Sequence, residues 1–286
     1  VDLQIRASGL SDVGLKREGN EDAFSTEDSL GLYVVADGMG GHLAGEVASQ
    51  IAVEMINKGI RRLIHEKTPL EEIFGTSDNS LSLEGNYILS TIRLANRVVY
   101  EMAIEKDKCH GMGTTVVMIY VTPTLVIAAN VGDSPLYMIR NGSIERLSRD
   151  HTIVAEQIEM GMMTEEEAET SPLRNVLTRN LGSSETVEPD IFEIEPSLND
   201  RFVLCSDGLS DLVSQEEILT MTQEENDPET LCRKFIDKAL QRGAHDNTTV
   251  VTVFLTDMEK LRGGPARRIG LFFANLLTGV QKTIKK

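Results

Sequence analysis

Three apolar runs in this chain stop at an aspartate that sits beside a glycine. Leu32-Tyr33-Val34-Val35-Ala36 leads into Asp37-Gly38, Phe202-Val203-Leu204-Cys205-Ser206 into Asp207-Gly208, and Leu125-Val126-Ile127-Ala128-Ala129-Asn130-Val131 into Gly132-Asp133. Runs of this kind suit buried strands, so each delivers a carboxylate to a strand end. A fourth aspartate, Asp246, stands at the entrance of another such run, Val250-Val251-Thr252-Val253-Phe254-Leu255. Taken singly, an Asp at a strand boundary is an Asx turn or a helix cap more often than a ligand. Taken together, four carboxylates gathered at one rim of a β core would repel one another unless cations lay between them. All-oxygen donors suit hard ions such as Mg2+ or Mn2+, and no His or Cys occurs at zinc-ligand spacing.

The rest of the chain supplies a scaffold for that rim. Residues 3 to 10 alternate apolar and polar as a half-buried strand does, and residues 23 to 26 and 31 to 36 predict a strand pair after a polar, glycine-bounded loop at 14 to 22. Apolar side chains recur at helical spacing over 44 to 65 and 84 to 105, with a loop-like stretch between 68 and 85. Strands over 111 to 121, 124 to 131 and 135 to 140 follow with no helix between them, and Asn141-Gly142 forms the next turn. Such a meander predicts mainly antiparallel sheet rather than a doubly wound nucleotide-binding fold. The acid-rich stretch 153 to 187 reads as short helices and surface loops, and strands return at 191 to 194 and 201 to 206. Helices are then expected at 214 to 224, capped by Ser214, and from Pro228, capped by Asp227 and closed by Arg242 and Gly243.

Charge narrows the function. The formal net charge is −17, yet seven Lys or Arg and no acid lie from Lys260 onward, so the remainder carries −24. That body is a poor nucleic-acid binder, because phosphate neutralisation needs a basic surface. Cys109, Cys205 and Cys232 have no paired spacing and read as reduced core thiols of a cytoplasmic protein. No signal peptide and no run of about 20 apolar residues is expected to take the chain across a membrane. Gly263-Gly264-Pro265 marks a linker, 258 to 265, before a basic amphipathic segment, 266 to 286. That segment is expected either to dock on the acidic body or to contact a membrane surface or partner protein.

Two hard ions about 3.5 to 4 Å apart can bridge a water, lower its pKa and hold the attacking and leaving oxygens of an in-line displacement. Phosphoester hydrolysis fits that arrangement best. Arg17, in the loop before Asp22, is the candidate phosphoryl clamp, the alternative being a surface arginine with a solvated partner. Other phosphate and acyl machinery is missing: there is no G-x-x-x-x-G-K-[ST] loop, no Cys followed six residues later by Arg, and no Gly-x-Ser-x-Gly elbow.

These residues occur in an order that resembles the metal-dependent serine/threonine protein phosphatases of the type 2C class, particularly their single-domain bacterial members. The elements that carry the resemblance are Arg17-Glu18-Gly19-Asn20-Glu21-Asp22, Asp37-Gly38-Met39-Gly40-Gly41-His42, Gly113-Thr114-Thr115, Val131-Gly132-Asp133-Ser134, Asp150-His151-Thr152, Arg174 to Arg179, Ser206-Asp207-Gly208-Leu209 and Asp246-Asn247-Thr248-Thr249. They span roughly residues 3 to 256. The resemblance implies an α+β fold, a four-layer α-β-β-α sandwich of two mainly antiparallel sheets flanked by helix pairs, over a domain at 1 to 257 with a flap at about 153 to 187. It also implies that Asp37 bridges two Mn2+ or Mg2+ ions, that the Gly38 carbonyl holds the second, and that Asp207 and Asp246 hold the first. Asp22 and Glu21 would act mainly through water, Asp133 would share a third ion with Asp207, and Arg17 would bind substrate phosphate.

Two positions depart from the family pattern. Animal members carry a His directly after the Asp-Gly and use it as general acid, whereas this chain has Met39 there and His42 three residues on; water at the metals is then expected to protonate the leaving group. Pro135 replaces the Arg usual after Gly-Asp-Ser. The expected activity is metal-dependent hydrolysis of phosphoserine and phosphothreonine in proteins that a serine/threonine kinase has modified. The alternative is a catalytically weak phosphoprotein-binding signalling module of the same fold.

Overall fold

A computed structural model describes residues 3–41, 43–106 and 109–257. His42, the linker 258–265 and the basic segment 266–286 lie outside the described residues. The chain opens with β1 (Leu3–Asp12), β2 (Asp22–Glu27) and β3 (Leu32–Met39), then two long helices, α1 (Leu43–Glu66) and α2 (Leu83–Glu105). A meander follows, β4 (Gly113–Thr114), β5 (Val116–Val121), β6 (Val126–Val131), β7 (Leu136–Arg140) and β8 (Ser143–Arg146), and then two short helices, α3 (Ile153–Glu159) and α4 (Glu165–Glu169). β9 (Asp190–Ile194) and β10 (Arg201–Cys205) lead to one helical turn, α5 (Asp207–Ser210), to α6 (Gln215–Glu224) and α7 (Pro228–Gln241), and to the last strand, β11 (Thr248–Asp257).

The strands form two sheets, ordered β1-β11-β10-β7-β8 and β2-β3-β5-β6-β9, with β4 paired to the end of β3. Their pairings are antiparallel. β3 shows why its run is apolar without alternation: both of its faces are covered. Tyr33 and Val35 join Val117, Phe202, Leu204 and Val251 between the sheets, while Leu32, Val34 and Ala36 join Ile56, Ile60, Ile88 and Ile92 of α1 and α2. A third layer packs Leu231, Phe235 and Ala239 of α7 against Val203, Val250 and Phe254 on the outer face of the other sheet. Each such large side chain, withdrawn from water, stabilises the fold by about 1.5–3 kcal/mol. The result is the expected α-β-β-α sandwich.

Local signals agree with their elements. Ser214 and Glu217 form a reciprocal capping box on α6, and Asp227 accepts from Thr230 N at the start of α7, with Pro228 at its first position. Two differences from the sequence reading matter for the site. The strand expected over 111 to 121 is broken at Thr115, whose Oγ1 accepts the Asp37 N–H while β4 pairs with Gly38 and Met39. The second is β8, which lacks a sequence signal because it is short and mostly exposed. It is set by the hairpin at Asn141 and Gly142, whose φ values of 52° and 82° are both positive, as a type I′ turn demands.

Candidate metal centre

One end of the sandwich gathers the carboxylates. Asp22 at the start of β2 lies opposite Asp37 on β3 in register, and Gly38 lies opposite Thr114. Asp207 opens α5 directly after β10, and Asp246 sits in the loop between α7 and β11. Asp37, Asp133, Asp207 and Asp246 share a cleft of about 570 Å3 with Arg17 and Glu21. The residues that the sequence singled out are therefore brought together, although they lie as far apart in the chain as Arg17 and Asp246.

The backbone beneath them is fixed by buried hydroxyls and an amide. Asp37 N donates to Thr115 Oγ1 (3.0 Å), Thr114 Oγ1 donates to Asp37 O (2.9 Å), and Thr115 Oγ1 shares a hydrogen with Ser134 Oγ (2.7 Å). Ser206 Oγ donates to Asp22 Oδ2 (2.8 Å) and accepts from Thr249 N (3.0 Å). Asn247 ties three segments: its Oδ1 accepts from Glu21 N (2.8 Å) and its Nδ2 donates to Val13 O (3.0 Å) and Gly19 O (2.9 Å). Ser206 and Asn247 belong to motifs visible in the sequence, but their positioning roles were missed; adjacency to Asp207 and Asp246 is their one local signal.

The glycines after the aspartates answer to close packing. A Cβ on Gly38 would lie 2.1 Å from Gly45 O and 2.5 Å from Glu21 O, and one on Gly208 would lie 2.0 Å from Asn247 O. Neither contact is to a flexible side-chain end, so α1 can approach the end of β3, and the loop at Asn247 the start of α5, only because these positions lack a side chain.

Electrostatics show a site short of positive charge. Burial pushes Asp22 up to about 6, with Asp207 and Asp246 adding to the rise against the hydrogen bond from Ser206. Asp207 also rises to about 6, through burial first and then Asp211 and Asp246. Asp37 is raised well above the ordinary carboxylate range by burial and by Asp22, Asp207, Asp133 and Asp246. Asp133 reaches about 7 through burial and Asp207, while Arg146 pulls it down. Asp22 Oδ1 and Asp207 Oδ1 are buried without a hydrogen-bond partner. Orphaned carboxylate oxygens among mutually repelling acids are the donor set that a hard divalent cation satisfies. Among the described residues no three His, Cys, Asp or Glu side chains form a compact cage. An ion here would complete its shell with a backbone carbonyl and water, which suits Mg2+ and Mn2+ better than zinc.

Arg17 reaches the cleft, where Nη2 donates to Asp246 Oδ2 at 2.7 Å with the Arg17 side chain 51% exposed. Met39 lines the cleft beside Asp37, and its Sδ accepts from Asn180 Nδ2 (3.0 Å). A thioether carries no acidic proton, so that position offers no general acid. Asn175, Val176 and Leu177, in the loop after α4, line the cleft on one side. At the position after Ser134 the chain has Pro135, but a guanidinium reaches this corner from β8: Arg146 Nη2 donates to Asp133 O (3.3 Å) and to Asp150 Oδ1.

A two-sheet sandwich with a carboxylate-lined, cation-seeking cleft at one end defines a metal-dependent phosphohydrolase. The chain belongs to the protein phosphatase 2C family, whose model matches residues 5–248. It is 34% identical to the serine/threonine phosphatase Stp of Listeria monocytogenes over 252 residues, 87% of this chain and 95% of that protein. The serine/threonine phosphatase structure from S. agalactiae superposes with a TM-score of 0.76 at 32% identity, covering 88% of this chain and all of that one. The catalytic domain of the serine/threonine protein phosphatase PstP, solved in complex with two manganese ions, gives a TM-score of 0.74 at 31% identity, covering 90% of this chain and all of that one. This chain is a serine/threonine protein phosphatase of the 2C type.

Proposed function

We propose that Asp37, the Gly38 carbonyl, Asp207 and Asp246 hold two divalent ions in the cleft, that Glu21 and Asp22 act on them through water, and that Asp133 with Asp207 takes a third. The observation that carries this reading is the pair of orphaned buried oxygens, Asp22 Oδ1 and Asp207 Oδ1, among carboxylates that raise one another's pKa. When bound, the ions would supply an activated water and charge neutralisation for in-line attack on phosphorus. The protein's own contributions follow from the geometry. Arg17, held at the rim by Asp246, turns its remaining N–H donors to the phosphoryl oxygens of phosphoserine or phosphothreonine and orients the ester. Thr115 keeps the Asp37 backbone in place, Ser206 the Asp22 carboxylate and Asn247 the Glu21 backbone. Cys205, the nearest thiol in sequence to Asp207, is fully buried and is not offered to the cleft as a nucleophile.

The substrates of this reading are phosphorylated proteins modified by a serine/threonine kinase. A metal-titrated assay on a phosphothreonine peptide tests it: turnover that rises with Mn2+ and is abolished by EDTA and by Asp37→Ala supports it, and turnover undiminished in EDTA removes it. Loss of turnover with retained phosphopeptide binding in the wild-type chain would favour the phosphoprotein-binding module instead. Signalling and a cytoplasmic setting are part of the same proposal and fit three buried, unpaired cysteines. Among the described residues no helix is long and apolar enough to cross a membrane. Contact of residues 266–286 with an anionic surface is checked by liposome pelleting with and without that segment, equal pelleting removing it.

A further inference from the structure

The wall of the cleft beyond Asp37 carries an amide that the reading above leaves without a task. Met39 follows Asp37 by two residues on β3, so their side chains share one face of the strand, roughly 7 Å apart along it. Met39 lies opposite Gly113 of β4, and the next residue, Thr114, exchanges backbone hydrogen bonds with Leu181 (3.0 and 2.9 Å). That bridge fixes Asn180 beside Met39, and Asn180 Nδ2 donates to Met39 Sδ at 3.0 Å. Ser183 Oγ donates to Asn180 Oδ1 and so sets which way the amide faces. Turned over, the amide would set its oxygen against the sulfur, acceptor against acceptor. Among the described residues that line the cleft, Arg17, Asn175, Asn180 and Asn247 carry side-chain N–H donors. Arg17 is tied to Asp246, Asn247 donates to two carbonyls, and Asn175 is exposed on the loop after α4. Asn180 is the one whose donor rests on a thioether, a weak acceptor that gives it up readily.

We propose that Asn180 is a further catalytic residue, whose Nδ2 leaves Met39 and donates to the ester oxygen of phosphoserine or phosphothreonine as that oxygen departs. The inference rests on the function proposed above and adds the group that meets the leaving alcohol. In hydrolysis the water oxygen bonds to phosphorus, the bond from phosphorus to the ester oxygen breaks, and its electron pair stays on that oxygen. The alcohol takes its proton from the water that attacked, so phosphate and free alcohol balance the reaction and Asn180 gives up no proton. The ester oxygen of the bound substrate is a weak acceptor, as the thioether is, whereas the departing oxygen carries growing negative charge. The hydrogen bond therefore strengthens in the transition state and acts on kcat rather than on binding. An in-line displacement sends the departing oxygen away from the attacking one, and so away from the carboxylate cluster. Met39 and Asn180 form cleft wall just beyond Asp37, and with no proton on the thioether, the N–H beside it is the donor that this oxygen meets.

Steady-state kinetics of the full chain in saturating Mn2+, on two substrates with unlike leaving groups, tests this. A phosphothreonine peptide expels a strongly basic alkoxide, and p-nitrophenyl phosphate expels a phenolate that is stable unaided. Asn180→Ala is expected to lower kcat on the peptide about tenfold to a hundredfold with KM within about threefold, and to lower kcat on p-nitrophenyl phosphate by no more than about threefold. Asn180→Leu, similar in volume but without a donor, should show the same selectivity. Mn2+ titrations read by electron paramagnetic resonance should place metal affinity within about twofold of wild type in both variants. Equal falls on the two substrates, an unchanged kcat on the peptide, a loss confined to KM, or weakened Mn2+ binding overturns the proposal. So does a Leu variant with wild-type kcat on the peptide, which would assign the effect to packing. A wild-type chain without Mn2+-dependent turnover of either substrate is a different result: it overturns the reading on which the proposal rests, and the proposal with it.

Discussion

Asp22 and Asp37 stand directly opposite each other on neighbouring antiparallel strands, in a register that also sets Phe24 against Val35 inside the core. Like charges in that relation are destabilising. The apolar pairs further along the same two strands hold the register, because a one-residue slip would turn every inward side chain outward. The hydrophobic core thereby forces together two carboxylates that would otherwise separate, and the cost falls on the metal-free protein.

That cost depends on pH. An aspartate near 3.8 when unfolded but at about 6 when folded, as for Asp22 and Asp207, binds protons more readily in the native state. Stability of the metal-free protein is therefore undiminished by these groups below the unfolded pKa and falls as pH rises through the folded one, by about 3 kcal/mol for a single buried group shifted that far. Glu217, lowered to about 2 by Arg242 and Lys238, works in the opposite direction but outside this window. The melting-temperature gap between Mn2+-loaded and EDTA-treated protein should be clearly wider at pH 7.5 than at pH 5. Equal gaps would show that the carboxylates are not held apart by the ions.

Asp22→Asn separates the two consequences of the same charge. The amide keeps an oxygen to accept from Ser206 Oγ and removes one negative charge from the cluster. Metal-free protein at pH 7.5 should become more stable, by about 1–3 kcal/mol, while Mn2+ affinity falls. Thermal melts with and without metal read both, and a metal-free variant less stable than wild type contradicts the argument.

The sequence carries Asp37, Asp207 and Asp246 openly because each is a carboxylate at the boundary of a run too apolar to lie at the surface. The sandwich is legible for a related reason: runs covered on both faces and a meander without crossover helices leave few other architectures. What is not legible is the support. Ser206 meets Asp22 across 184 residues and Asn247 meets Glu21 across 226, and beyond adjacency to Asp207 and Asp246 nothing local marks either residue as a partner. Arg146 escapes for the same reason, since it lies on a short exposed strand whose apolar pattern is too weak to announce it. The family resemblance gives Gly38 a part through its carbonyl alone, and the structure adds a requirement of its own, room for α1.

Gly38→Ala tests that requirement. The new methyl would overlap two backbone oxygens, Gly45 O and Glu21 O, so α1 or the loop at Glu21 must shift. Overpacking of this kind costs about 1–3 kcal/mol. A lowered melting temperature and loss of tight Mn2+ are expected together. Gly19→Ala, in the neighbouring loop with nothing within 4 Å of its Cβ, should stay within about 0.5 kcal/mol of wild type. Similar losses in both would indicate general intolerance of the loop rather than the predicted clash.

Arg17→Ala should move two measurements in opposite directions. Arg17 is tied to Asp246 Oδ2, one of the oxygens proposed to hold a metal, by an ion pair whose arginine is half exposed. Exposed pairs contribute at most about 1 kcal/mol, so freeing Asp246 should tighten metal binding by no more than about fivefold. The same deletion would remove the donors proposed to face the phosphoryl oxygens. Because substrate and transition state both carry those oxygens, the loss should raise KM for a phosphothreonine peptide about tenfold or more and change kcat only a few-fold. Saturation curves at fixed Mn2+, paired with Mn2+ titrations, separate the two effects. A variant with unchanged KM and a large fall in metal affinity would make Arg17 a structural partner of Asp246 instead of the phosphate clamp.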